Sequence, residues 1–228
     1  MKRMKLYFSP LACSMATRVA LYEAGAEADF VEVDPKTKRT LDGEDFREIY
    51  PLGLVPALRT EDGALLTENA AILQYVAGRY PEAKLAPSDE MGRTRLQQWL
   101  CFIGTELHKT LYTPRLHAEA PSAVRAYALE KGGTRLGFLE RYLEEGRTFL
   151  LDDYSVADGY LATVLNWSTA AQVDLSPHRA ISAYLGRVRA RPAFARALGE
   201  ELAHYKAEKR RHGESLPAVI SPPAAVSP

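Results

Sequence analysis

Apolar positions along the first eighty residues change period repeatedly. Lys5 to Phe8 is short and apolar-aromatic, and Ser9-Pro10 breaks it. From Ser14 to Glu23, Met15, Val19 and Tyr22 recur at i, i+4, i+7, a helical stripe closed by Gly25. Phe30 to Val33 reads as a second strand, and a charged stretch over Lys36 to Glu48 has helical character near its end. Two short strands, Val55 to Thr60 and Ala64 to Thr67, flank Glu61-Asp62-Gly63, a hairpin signal. Ala71, Ile72, Tyr75, Val76 and Tyr80 then trace a helix ended by Pro81. The order β-α-β-(α)-β-β-α predicts a mixed sheet covered by helices, an α/β domain over residues 1–83.

Residues 84–90 carry no pattern and read as a linker. Beyond them the strand signals stop. Leu96, Leu100, Ile103, Leu107 and Leu111 form a long helical stripe, and further helices are expected over 124–143, 156–171, 180–189 and 193–205. Pro121, Pro177 and Pro192 punctuate them. The second domain, 91–205, is therefore all-helical. A Pro-, Ala- and Ser-rich stretch ends the chain, so 206–228 is expected to be a flexible tail.

Composition narrows the function classes. In 228 residues, 29 Lys and Arg balance 29 Asp and Glu, so no global field points to nucleic acid or an anionic membrane. No apolar run approaches a membrane span, and Ser9-Pro10 and Arg18 interrupt any leader-like core. Two distant cysteines, Cys13 and Cys101, suit a reducing compartment. The expectation is a cytoplasmic protein.

Three places could carry chemistry. Cys13 opens the first helix, where unpaired N–H groups favour a thiolate, its own or one brought to it; it could equally be a small buried residue. Val55-Pro56 stands at the mouth of a strand, where proline cannot donate to the ladder. It is either an ordinary trans proline or a cis proline exposing the preceding backbone to an extended peptide. Thr67-Glu68-Asn69 precedes a helix whose free N–H groups suit a carboxylate while Glu68 suits an ammonium; simple capping is the alternative. His108 on the long helix reads by itself as a satisfied interior histidine. Ser155-Val-Ala-Asp158 is a capping box in form and structural in role.

Taken together, Lys5-Leu-Tyr-Phe-Ser-Pro-Leu-Ala-Cys-Ser14, Val55-Pro-Ala-Leu58, Leu66-Thr-Glu-Asn69, Ala71-Ile-Leu-Gln-Tyr75, Glu106-Leu-His-Lys109 and Ser155-Val-Ala-Asp158 resemble bacterial beta-class glutathione transferases from about Met4 to Leu202. The resemblance implies a thioredoxin-like domain with a four-stranded sheet, followed by a helical domain, with an electrophile pocket between them. It implies glutathione as co-substrate, a small hydrophobic electrophile, no metal, and a homodimer. By motif, Cys13 contacts the glutathione sulfur, with Ala12 and Ser14 flanking it. Lys38 reaches the glycyl end, Val55 pairs its backbone with the cysteinyl part, and Pro56 is the cis proline. Glu68 and Asn69 hold the γ-glutamyl end. His108 lines the site from the helical domain, and Trp167 walls the electrophile pocket. Phe8 and Cys101 stand in that pocket where relatives often carry Tyr and Asn. Two further readings stay open: thiol-disulfide or peroxide reduction through Cys13, and a non-catalytic partner of the transcription, translation or stress machinery.

Overall fold

The computed structural model describes residues 3–215. Its contacts divide the chain into two units: the chain up to Ala83 together with the chain from Pro192 onward, and Lys84–Arg191.

The first unit is built on a four-stranded sheet in the order β2-β1-β3-β4, with β1 at Met4–Phe8, β2 at Ala28–Glu32, β3 at Ala57–Arg59 and β4 at Leu65–Thr67. β1 runs parallel to β2 and antiparallel to β3, so Leu6 faces Phe30 on one side and Leu58 on the other. The β3–β4 turn closes as the hairpin signal predicts, with Gly63 at φ +96° donating to the Thr60 carbonyl at 3.0 Å. Helix α1 (Ser14–Glu23) ends where Gly25 takes φ +62°, a conformation open to glycine at little cost. The charged stretch yields only one short helix, α2 (Phe46–Ile49), capped by Asp45 on the Arg47 amide. Helix α3 (Asn69–Arg79) follows β4 directly.

Alternation along β1 sends neighbours to opposite faces. Tyr7 packs on Phe46 (ring centroids 5.2 Å) in a cluster with Val33 and Ala57. Phe8, fully buried, meets the Arg18 guanidinium at 4.2 Å and the His204 ring at 5.1 Å. His204 belongs to the last helix, α9 (Pro192–Arg211), which starts at Pro192 and runs past the expected boundary at 205. Proline at a first helical position is favourable, because its missing N–H had no intrahelical acceptor. Arg18 lies between the rings of Phe8 and Phe30 and donates from Nε to Glu201 of α9 at 2.8 Å. Burial pushes the Glu201 carboxyl up to about 7, against the pull of Arg18. Of the expected tail, residues 206–211 lie in α9, and residues 216–228 lie outside the described residues.

In the second unit, α4 (Glu90–Phe102) runs without a break through a π-helical segment, Ile103–Tyr112, into α5 (Thr113–Leu116). Pro114 would press against a carbonyl one α-turn back, and a widened turn before it relieves that clash. The Thr110 and Thr113 hydroxyls donate five residues back, to the Thr105 and His108 carbonyls at 2.7 and 2.9 Å. Helices α6 (Ser122–Glu144), α7 (Val156–Leu165) and α8 (Arg179–Arg189) complete the unit. The capping box forms: buried Asp158 accepts from the Ser155 amide at 2.8 Å, and also from the Leu150 amide and the Tyr184 hydroxyl. Helix α7 stops at Leu165, and the expected continuation to Ala171 is a series of turns. Glu140 of α6 receives the first amides of α8, Ala180 and Ile181, at 2.8 and 2.9 Å.

Candidate active site

In the first unit, the turn after β1 is held from several sides. Ser9 accepts the Ala12 amide at 3.1 Å and donates its hydroxyl to the Val33 carbonyl at 2.6 Å. Leu11 takes φ +57° and donates its amide to Glu201 at 2.8 Å. This turn delivers Cys13, half-buried, to the N-cap of α1. The Cys13 Sγ lies 3.3 Å from the Val55 carbonyl oxygen. The Val55–Pro56 peptide is cis, in agreement with the thioredoxin-like expectation.

Glu68 caps α3 with φ +65°, an uncommon conformation for a residue with a side chain. Glu68 is exposed and makes no side-chain cap hydrogen bond to α3, whose first N–H groups have no intrahelical acceptor. Lys38 also takes positive φ, +60°. Its stem passes where a Cβ on Gly53 would come within 3.6 Å, in the loop leading to Val55. Burial, then the neighbouring Arg47 charge, lowers the Lys38 pKa, while Asp34 works against the shift. An exposed carboxylate at a helix start, a thiol at another, a cis-proline backbone and two cations therefore belong to one unit. Those groups match a short peptide with an ammonium end, a carboxylate end and a central thiol.

Several expected site residues play other parts. Phe8 is fully buried, with the Arg18 guanidinium and the His204 ring of α9 against it. Ser14 is buried, its hydroxyl turned to the Ser9 backbone at 3.3 Å. The Asn69 carboxamide is consumed inside the fold: it accepts the Thr17 hydroxyl at 2.9 Å and donates to the Cys13 carbonyl at 2.7 Å. What Asn69 can present outward is its main-chain N–H, as first residue of α3.

In the helical unit, His108 and Trp167 do come together, ring centroids 4.9 Å apart. The His108 Nδ1 is 2.9 Å from the Tyr160 hydroxyl, and Tyr112 packs on Trp167 at 6.0 Å. Burial, assisted by the Lys109 charge, lowers the His108 pKa to about 4, so its imidazole is neutral at pH 7. Cys101 is an exposed thiol on α4. Residue patterns gave no hint of Glu201 or Tyr160, whose partners Arg18 and His108 lie far away in sequence, nor of Arg47 beside Lys38. Among the described residues, no group of His, Cys, Asp and Glu could hold a metal ion, and no helix is long and apolar enough to cross a membrane.

Two family domains match the chain: the glutathione S-transferase N-terminal domain over residues 2–78 and its C-terminal domain over 98–192. This chain belongs to the glutathione S-transferase family. The Escherichia coli O157:H7 glutathione S-transferase GstA is 36% identical over 199 residues, 87% of this chain and 98% of that one. The beta-class transferase of Sphingomonas chungbukensis is 39% identical with a TM-score of 0.83, covering 86% of this chain and 98% of that structure. A sphingomonad glutathione S-transferase solved with glutathione is also 39% identical, TM-score 0.82, with the same coverage. This transferase thus has the two-domain, thioredoxin-like fold and beta-class kinship that its motifs imply, and nothing favours a non-catalytic role.

Proposed function

We propose that this transferase conjugates reduced glutathione to small hydrophobic electrophiles, with the tripeptide bound along the first unit. The convergence of Cys13, cis Val55–Pro56 and the start of α3 carries the reading. The Val55 backbone would pair with the cysteinyl part, and Ala12 and Cys13 would border the sulfur. Glu68 and the Asn69 N–H would take the γ-glutamyl end, and Lys38, with Arg47, the glycyl carboxylate. The N-terminus of α1 favours the thiolate, its proton having left to solvent; the sulfur then forms a bond to an electrophilic carbon as the bond to that carbon's leaving group breaks and the group departs with the electron pair. Neutral His108 and Trp167 would supply the electrophile's apolar and hydrogen-bonding surroundings. A homodimer in the cytoplasm fits the exposed Leu52, Tyr127 and Phe138 side chains and the scarcity of thiols.

A second activity, glutathione-dependent thiol-disulfide exchange, is favoured by the placement of the Cys13 thiol at a helix N-cap. Cys13→Ala separates the two. Conjugation should fall modestly and disulfide reduction should vanish. Reduction that survives the substitution removes Cys13 from that chemistry, and conjugation abolished with it makes Cys13 essential to both.

A further inference from the structure

Helix α9 packs within the first unit, and its C-terminal end grips the loop that carries Lys38. The helix stops in a Schellman arrangement: Gly213 at φ +64° donates to Arg210 at 3.2 Å, and the Glu214 amide reaches back to the Lys209 carbonyl at 2.9 Å. That reversal folds the Glu214 carboxylate back beside the helix, where Lys209 Nζ holds it at 2.7 Å and Lys36 joins it in a second ion pair. One residue before the glycine, His212 places Nε2 2.7 Å from Asp34 Oδ2.

Asp34 organises the loop that ends at Lys38. Its Oδ1 accepts the amides of Lys36 at 3.0 Å and Thr37 at 2.9 Å, and its carbonyl accepts the Lys38 amide at 2.9 Å. The Lys38 carbonyl in turn takes the Phe46 amide at 2.9 Å. Lys38 is thereby fixed on both sides in a left-handed conformation that a residue with a Cβ rarely adopts. A carboxylate pinned through one oxygen presents the other to the loop amides. His212 does the pinning, and Glu214 steadies the loop's exposed middle through Lys36. Glu32, at the end of β2, ties the same helix lower down, through His204 at 2.7 Å and through Arg211.

We propose that His212 and Glu214 are positioning residues for glutathione recognition: the end of α9 holds the Asp34–Lys38 loop so that Lys38 meets the glycyl carboxylate. The inference rests on the assignment of Lys38 to that carboxylate. It makes the C-terminal helix part of substrate discrimination, although neither residue touches the ligand.

The experiment compares wild type with His212→Ala/Glu214→Ala, using glutathione and γ-glutamylcysteine, which lacks the glycyl carboxylate. The double variant should raise KM for glutathione about five-fold with kcat held, while KM for γ-glutamylcysteine is the same in both proteins. His212→Asn, which keeps a neutral donor, should recover most of the loss. Independently of any substrate, the Lys36 and Thr37 amides should lose hydrogen-exchange protection in the variant, and this reading holds for His212→Ala alone should the double variant fold poorly. Unchanged KM for glutathione with wild-type binding intact would overturn the clamp alone. Equal losses for both peptides would also overturn it, showing general damage. A wild type that binds neither peptide would overturn the site assignment, and the clamp with it.

Discussion

Asn69 offers the sharpest separation between a ligand-binding residue and a brace. Its carboxamide joins two helix starts, accepting from Thr17 on α1 and donating to the carbonyl of Cys13. Both Asn69 and Thr17 are buried, so water cannot replace the lost partners. In Asn69→Ala, two hydrogen bonds at about 1 kcal/mol each disappear and the buried Thr17 hydroxyl loses its acceptor, while the Cys13 carbonyl keeps the Ala16 amide at 3.1 Å, for a loss of roughly 2 kcal/mol. Asn69→Asp keeps the acceptor for Thr17 but turns a carboxylate oxygen toward the Cys13 carbonyl, so it should cost at least as much. A double-mutant cycle with Thr17→Val isolates the Thr17 pair, with a coupling of about 1 kcal/mol expected. Guanidinium unfolding of each variant measures these losses through the midpoint, the slope remaining constant. Calorimetry with glutathione supplies the second axis, where Asn69→Ala should weaken binding less than about three-fold, under 0.7 kcal/mol. An unchanged unfolding midpoint combined with a loss of affinity of about ten-fold (1.4 kcal/mol) would refute the reasoning, because it would mean that the side chain holds the ligand and not the fold.

Other consequences follow from buried polar groups. Asp158→Ala removes the acceptor for the Leu150 and Ser155 amides and the Tyr184 hydroxyl, and should destabilise by about 3–5 kcal/mol, read as a fall in the urea midpoint; Asp158→Asn should cost less. His108 titrates near 4 when folded against 6.5 ordinarily, so the folded state binds fewer protons between those values. The stability contribution is therefore complete above about pH 6.5 and is lost as pH falls through 4, with about 2 kcal/mol gone between pH 7 and 5. Comparing His108→Phe with wild type at both pH values measures it, and an identical pH response would contradict the buried neutral imidazole.

Local patterns carried most of the elements. The Met15, Val19, Tyr22 stripe marks α1, and Glu61-Asp62-Gly63 marks the β3–β4 turn, because periodicity and turn chemistry are properties of neighbours in sequence. Prolines were less legible. Pro192 reads as a breaker, whereas it begins α9, and a proline before a helix looks the same in sequence as one that ends it. The end of α7 was also hidden, since apolar residues continue to Ala171 after the helical hydrogen bonds have stopped. At the candidate site, Cys13, Val55-Pro56 and Glu68 stand out from the residues themselves, and the cis peptide is the one that the family resemblance implies. Phe8, Ser14 and Asn69 were placed by position, but what each side chain touches depends on α9, on the turn after β1 or on Thr17. Arg18 and Glu201 are 183 residues apart, and no periodicity links them.

The proposed glutathione site of the first unit is built around Cys13, Val55 and Glu68. The most direct test is calorimetric titration of reduced glutathione into the wild-type protein and into Glu68→Ala. The account predicts saturable binding to wild type, one ligand per chain, in the micromolar to low millimolar range (roughly −4 to −8 kcal/mol), and at least a ten-fold loss in the variant. No heat with wild type, or equal affinity in the two proteins, would contradict it.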